Sequence, residues 1–256
     1  VRAGGPDHPL LAPSLNTLPL VRKAQGPSAE AGLLYERALP INEKTFGPEH
    51  PNVALGLNNL AEVCRAQGNY ARAQSLYKRA VAIKEKTLGP SHPSVATSLN
   101  NLAALYQAQG EYGQAERLFK RALAIREKAF GKDNPSVATS LDNLGSLYET
   151  RGRRAQAEPL YGRALEIREN ALGVEDLATA VSLDNLGRLY DAQGHYGRAE
   201  LFYNRSLTIR ERSLGTEHPL VATSLEHIAS LYRHSGRERA AEALEQRAAT
   251  IRAMNR

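Results

Sequence analysis

The segment Gly89-Pro90-Ser91-His92-Pro93-Ser94-Val95-Ala96 recurs as Gly47-Pro48-Glu49-His50-Pro51-Asn52-Val53-Ala54, and again with substitutions from Gly131, Gly173 and Gly215, each copy 42 residues from the last. A fixed, ungapped period of this length restricts a chain to architectures in which one supersecondary unit stacks on copies of itself. A weaker copy opens at Gly5-Pro6-Asp7-His8-Pro9. Four leading residues and six units (5–46, 47–88, 89–130, 131–172, 173–214 and 215–256) account for all 256 positions, so the chain reads as a single repeat array, residues 1–256.

Within a unit the apolar spacing is helical twice over. Leu99, Leu102, Leu105 and Tyr106 form one face, and Ala115, Leu118, Phe119, Ala122, Leu123 and Ile125 form a second. The break between them is Gly110, repeated as Gly68, Gly152, Gly194 and Gly236, where a helix ends on a left-handed residue. The second helix ends at the next unit's glycine, and Pro93 suits the first turn of the helix that follows. Propeller blades share the period, but they need alternating strands, and the chain has no Trp and 6% aromatic residues. Each unit is therefore expected to be an antiparallel helical hairpin, giving twelve helices and no sheet.

The positions Leu99, Leu102, Ala103, Tyr106, Ala115, Phe119 and Ala122, repeated as Leu141, Leu144, Gly145, Tyr148, Ala157, Tyr161 and Ala164, resemble the tetratricopeptide signature. The period, the Asn-Asn pair of the first helix, the phrase Lys120-Arg121-Ala122-Leu123-Ala124-Ile125-Arg126-Glu127-Lys128 and the His-Pro linker are similar to the repeats of kinesin light chains and their bacterial relatives. The resemblance spans residues 5–256 and implies an all-α, right-handed α-solenoid of six helical hairpins, a tetratricopeptide-like superhelix. Where the shorter repeat ends its second helix on Pro, this chain has Glu43, Glu85, Glu127, Glu169 and Glu211, so that helix should run on. Departures gather at the ends. Pro19 and Pro40 fall inside both helices of unit one, at about 3 kcal/mol each for a helix interior, which predicts a kinked, frayed or irregular segment over 1–46. Pro159 lies near the start of its helix and should matter less. In unit six Glu245 and Ala249 replace apolar positions and make the last helix a polar cap.

Chemistry is harder to find. His8, His50, His92 and His218 share one linker position, but equivalent residues of neighbouring repeats lie roughly 20 Å apart, two helix-packing distances, and cannot share a metal ion. Asn134 and Asp176 stand at the same place, which makes it an N-cap. Ser98, Ser140, Ser182 and Ser224 are likewise multiplied by the repeat and read as architectural rather than nucleophilic. Phosphate loops, zinc helices and dinucleotide fingerprints are missing, and the single Cys64 forms neither a disulfide framework nor a thiolate site. No catalytic residue, metal site or cofactor is expected.

A stack of hairpins leaves an extended concave surface for a protein or peptide partner. By the resemblance, the second Asn of the first helix points into that groove, giving Asn59, Asn101, Asn143 and Asn185, with Asn58, Asn100, Asp142 and Asp184 beside them. A carboxamide complements a peptide backbone. Bridging between neighbouring helices is the competing role for these amides. Thr17 and His227 replace the Asn in the end units. Groove charges would set specificity: Lys23, Arg65, Arg188 and Arg233 against Glu62, Asp142, Glu149, Asp184, Asp191 and Glu226.

The chain carries 33 Lys and Arg against 27 Asp and Glu, a net +6, which admits attraction to nucleic acid. Its regular arginines, Arg37, Arg79, Arg121, Arg163, Arg205 and Arg247, instead suggest repeat-to-repeat salt bridges or a solvated face, and no aromatic platform interleaves them. Nucleic-acid and membrane partners are not expected; no apolar run approaches a bilayer span. The sequence reading is a non-catalytic interaction scaffold, cytoplasmic, for which self-association is a further protein contact. The alternative is a regulatory or oligomerisation segment of a larger nucleotide-binding or protease-like protein, since the chain opens on Val1 rather than Met.

Overall fold

The computed structural model describes residues 29–255. The described residues form eleven α-helices and no strand: α1 (Ala29–Phe46), α2 (Pro51–Ala66), α3 (Tyr70–Leu88), α4 (Pro93–Ala108), α5 (Tyr112–Phe130), α6 (Pro135–Thr150), α7 (Arg154–Leu172), α8 (Leu177–Ala192), α9 (Tyr196–Leu214), α10 (Pro219–His234) and α11 (Glu238–Met254). They group into two compact units, 1–129 and 130–256, and the division falls within a residue of a repeat boundary.

Each repeat is built by the same local rules. The first helix starts on a side-chain cap: His50, His92 and His218 accept the backbone N–H two residues on through Nδ1 at 3.2, 3.2 and 3.1 Å, and Asn134 and Asp176 do so through Oδ1 at 2.9 and 2.7 Å. The described linker histidines, His50, His92 and His218, are helix caps. The first helix ends on a glycine with φ between 71° and 77°, and the next residue's N–H reaches back to the last turn, as Asn69 does to the Cys64 carbonyl at 2.8 Å. The complete second helices α3, α5, α7 and α9 run 19 residues against 16 for the first helices, and Glu85, Glu127, Glu169 and Glu211 lie within them. That extension matches the expectation from the missing proline.

Packing ties each hairpin to its neighbour. In 1–129, Val53, Ala54 and Leu57 of α2 meet Ala80 and Ile83 of α3 with Leu39 of α1, and Val81 of α3 joins Val95, Ala96 and Leu99 of α4 against Ala122 and Ile125 of α5. In 130–256, Leu165 of α7 packs on Ala180 and Leu183 of α8 with Ile209 of α9, and Leu207 of α9 packs on Val221, Ala222 and Leu225 of α10 with Ile251 of α11. Every cluster draws on three consecutive helices, so no hairpin buries its apolar surface alone. First helices of successive repeats also touch directly: α2 with α4, α6 with α8, and α8 with α10.

One expectation needs correction. Residues 29–46 are neither frayed nor irregular: they form one helix, α1, with Pro40 inside it. Pro40 removes one helical hydrogen bond, but Ala31, Tyr35, Ala38 and Asn42 are buried on a helix packed against α2, and that burial outweighs the lost bond. Pro159 sits inside α7 in the same way. The readings placed on His8, Thr17, Pro19 and Lys23 lie outside the described residues. At the other end Glu245 and Ala249 are exposed on α11, and Arg233 bonds Glu245 at 2.8 and 2.7 Å, which gives the last helix its polar face.

Candidate binding surface on the first helices

Two adjacent helix residues point about 100° apart, so the two members of the Asn-Asn pair cannot do the same job. The first member faces the following repeat. Asn58 is 5% exposed; its Nδ2 donates to the Ala54 carbonyl and to Ser98 Oγ, both at 2.9 Å. Lys84 Nζ donates to the same hydroxyl at 2.9 Å, and burial lowers its pKa. Asn100 is buried too. In repeats four and five the position carries an acid and its partner is arginine. Asp142 pairs with Arg168 at 2.6 Å and Asp184 pairs with Arg210, while Arg168 and Arg210 donate onward to Ser182 and Ser224. Burial pushes the Asp142 carboxyl up against the opposing pull of Arg168. Asn58, Asp142 and Asp184, expected beside a ligand, thus bridge helices, and the repeated serines are the far end of those bridges.

The second member faces outward. Asn59, Asn101, Asn143 and Asn185 are all half-buried. Asn59 Nδ2 is shielded from solvent and has no partner among the described residues. Among the same residues the amides of Asn101 and Asn143 make no hydrogen bond. Asn185 differs: it donates to Asp142 Oδ1 at 3.1 Å and accepts from Arg188 at 3.4 Å. In repeat six His227 takes the position, its ring 5.5 Å from that of Tyr203, and burial lowers its pKa. One turn before the four asparagines stand Leu55, Thr97, Thr139 and Val181, all exposed.

The described charges expected to line the surface are engaged with neighbouring side chains. In 1–129, Arg65 bonds Glu62 at 2.6 Å, Glu62 also accepts from Tyr77 at 2.7 Å, and α4 has no charged residue. In 130–256, Arg188 grips Glu149 with two bonds of 3.0 Å, His234 meets Asp191 at 2.9 Å, and Arg252 holds Glu226 at 2.9 Å. The periodic arginines of the second helices form a separate set of rungs. Arg79, Arg121, Arg205 and Arg247 reach Glu43, Glu85, Glu169 and Glu211 of the preceding repeat, each at 2.6 Å. They are salt bridges between repeats.

The sequence did not separate the two faces of the Asn-Asn pair. A partial signal was available: the first member is Asp where the second-helix residue is Arg168 or Arg210 and Asn58 stands opposite Lys84, but Asn100 stands opposite Arg126, so the substitutions do not track each other in every unit. Among the described residues no group of His, Cys, Asp and Glu could hold a metal ion, and no helix is long and apolar enough to cross a membrane.

A model described as tetratricopeptide repeat matches residues 20–86, 54–128, 94–170, 136–212 and 202–253. Among solved structures, BtubC (BKLC) from P. vanneervenii is 23% identical, with 96% of this chain and 91% of that chain covered and a TM-score of 0.69. A putative kinesin light chain from Podosopora anserina with nearly identical TPR-like repeats is 29% identical over 81% of this chain and 98% of its own, at a TM-score of 0.64. The apo form of RapI is 13% identical, covers 94% and 97%, and gives 0.65. A comparison with curated proteins finds no match.

Proposed function

The chain belongs to the tetratricopeptide repeat family, a family of protein-interaction folds, and from that premise we propose that it is a docking scaffold whose first helices hold an extended segment of a protein partner. The observation that carries this reading is found in each unit separately: Asn101 in 1–129 and Asn143 in 130–256 are half-buried and uncommitted among the described residues, while their neighbours at 100 and 142 are turned into the fold. An amide held in place with free donors and an acceptor suits a peptide group of a ligand, whose own N–H and C=O need partners once desolvated. Direct contact between first helices of successive repeats supports placing them on the inner side of each unit. The scaffold acts by binding alone, and no catalytic role is assigned to any residue.

Position-specific photo-cross-linking tests the reading. A benzophenone amino acid at Thr97 or Thr139, each one turn before a ladder amide, should capture a discrete protein from the source extract. The same group at Ser75 of α3 or Leu201 of α9, both exposed on second helices, should not. Capture of the same protein from the second-helix sites instead would move the binding surface off the first helices and end the proposal.

A further inference from the structure

We infer that the segment which docks on the first helices is uncharged, bound through its main chain and small neutral side chains; the inference rests on the docking reading above. Every carboxylate and guanidinium of the five described first helices is engaged by another side chain of the fold: all sit in arginine–carboxylate pairs except Asp191, which hydrogen-bonds His234. What these helices leave for a ligand is neutral: Thr97, Asn101 and Ala104 in 1–129, Thr139, Asn143 and Ser146 in 130–256.

An acidic or basic ligand would meet no counter-charge there that the fold leaves unengaged. It would have to break an existing pair, leaving a half-desolvated charge behind, or lie against amides and hydroxyls that compensate its lost hydration poorly. Asp142 with Arg168 and Asp184 with Arg210, at 12% and 7% side-chain exposure in each pair, are the least available of these pairs. A neutral extended segment faces neither difficulty, because its peptide N–H and C=O groups are donors and acceptors of the same kind as the amides and hydroxyls. The chain's net charge of +6 points the other way, toward acidic partners, so composition and geometry make opposite predictions.

The test pans the full chain against a fully random peptide library and measures a synthesised, recovered peptide. The recovered sequences should be depleted of Asp, Glu, Lys and Arg. Their Kd should change by less than about twofold between about 50 and about 500 mM NaCl, over which exposed charges become screened. Asn101→Ala with Asn143→Ala should weaken them about tenfold or more, a loss of about 1.4 kcal/mol, with the thermal melt of the variant as the folding control. Recovered peptides of one charge sign, bound about tenfold more weakly at the higher salt yet still sensitive to the double substitution, would overturn the inference and leave the docking surface standing. Peptides indifferent to the double substitution, or no enrichment at all, would overturn the docking reading with it.

Discussion

At Gly145 and Gly187 a ring occupies the space a methyl group would need: a Cβ would stand 2.6 Å from Tyr161 Cε1 and 2.7 Å from Tyr203 Cε1. Repeats two and three carry Ala61 and Ala103 at the same position, opposite Tyr77 and Phe119. Small-against-aromatic packing was legible in the sequence as a pattern; how closely each ring approaches was not. Gly145→Ala should therefore cost about 1–3 kcal/mol through overpacking of a fully buried tyrosine. Gly162→Ala, mid-helix in α7 with nothing near its added methyl, should stabilise by about 0.5–1 kcal/mol. Thermal or urea melts of the two variants check both signs. The same limit explains the Asn-Asn pair. Residue type and period put both amides on the right helix, but only packing against the next repeat assigns one to the bridge and one to the surface.

Between elements, the bridge of Asp142, Arg168 and Ser182 couples α6, α7 and α8 by groups that are nearly all buried. Arg168→Met leaves the Asp142 carboxylate without its cation and should cost about 3–5 kcal/mol. Asp142→Asn makes the Asn-with-Arg combination that repeat three already carries in Asn100 and Arg126, and should cost much less. The pH dependence has a defined sign. Burial raises the Asp142 pKa, and removing Arg168 removes the main opposing pull, so the folded state of Arg168→Met binds that proton more tightly than the unfolded chain. The deficit is full above the raised folded pKa and shrinks as pH falls through it. Chemical denaturation of the variant and parent from neutral to acidic pH measures this, and a deficit growing toward acid would contradict it. Helix ends were the most legible elements, because a capping side chain and a left-handed glycine each need only local sequence. Pro40 does not break α1 because propensity is local, whereas α1 is held by burial against α2.

Across the molecule, the ungapped period made the fold class readable and also explains why the function is less so. Repetition announces architecture strongly: caps, glycines, serines and arginine rungs recur because every unit needs them. A binding surface is marked by what the architecture does not use, and which residues it uses is known only once the pairs are seen. Glu62, Glu149, Arg188 and Asp191 looked like groove charges in the sequence and prove to be partners of neighbouring residues. Asn59, Asn101 and Asn143 keep their amides out of those pairs. The most direct measurement is the Kd of the protein captured at Thr97, for the parent chain and for Asn101→Ala with Asn143→Ala, beside the melting temperature of each. Each lost amide contact should cost about 1–3 kcal/mol of affinity, so Kd should rise about tenfold or more while the melting temperature holds. An unchanged Kd with a collapsed melting temperature would show the amides to be struts between helices and would contradict the account.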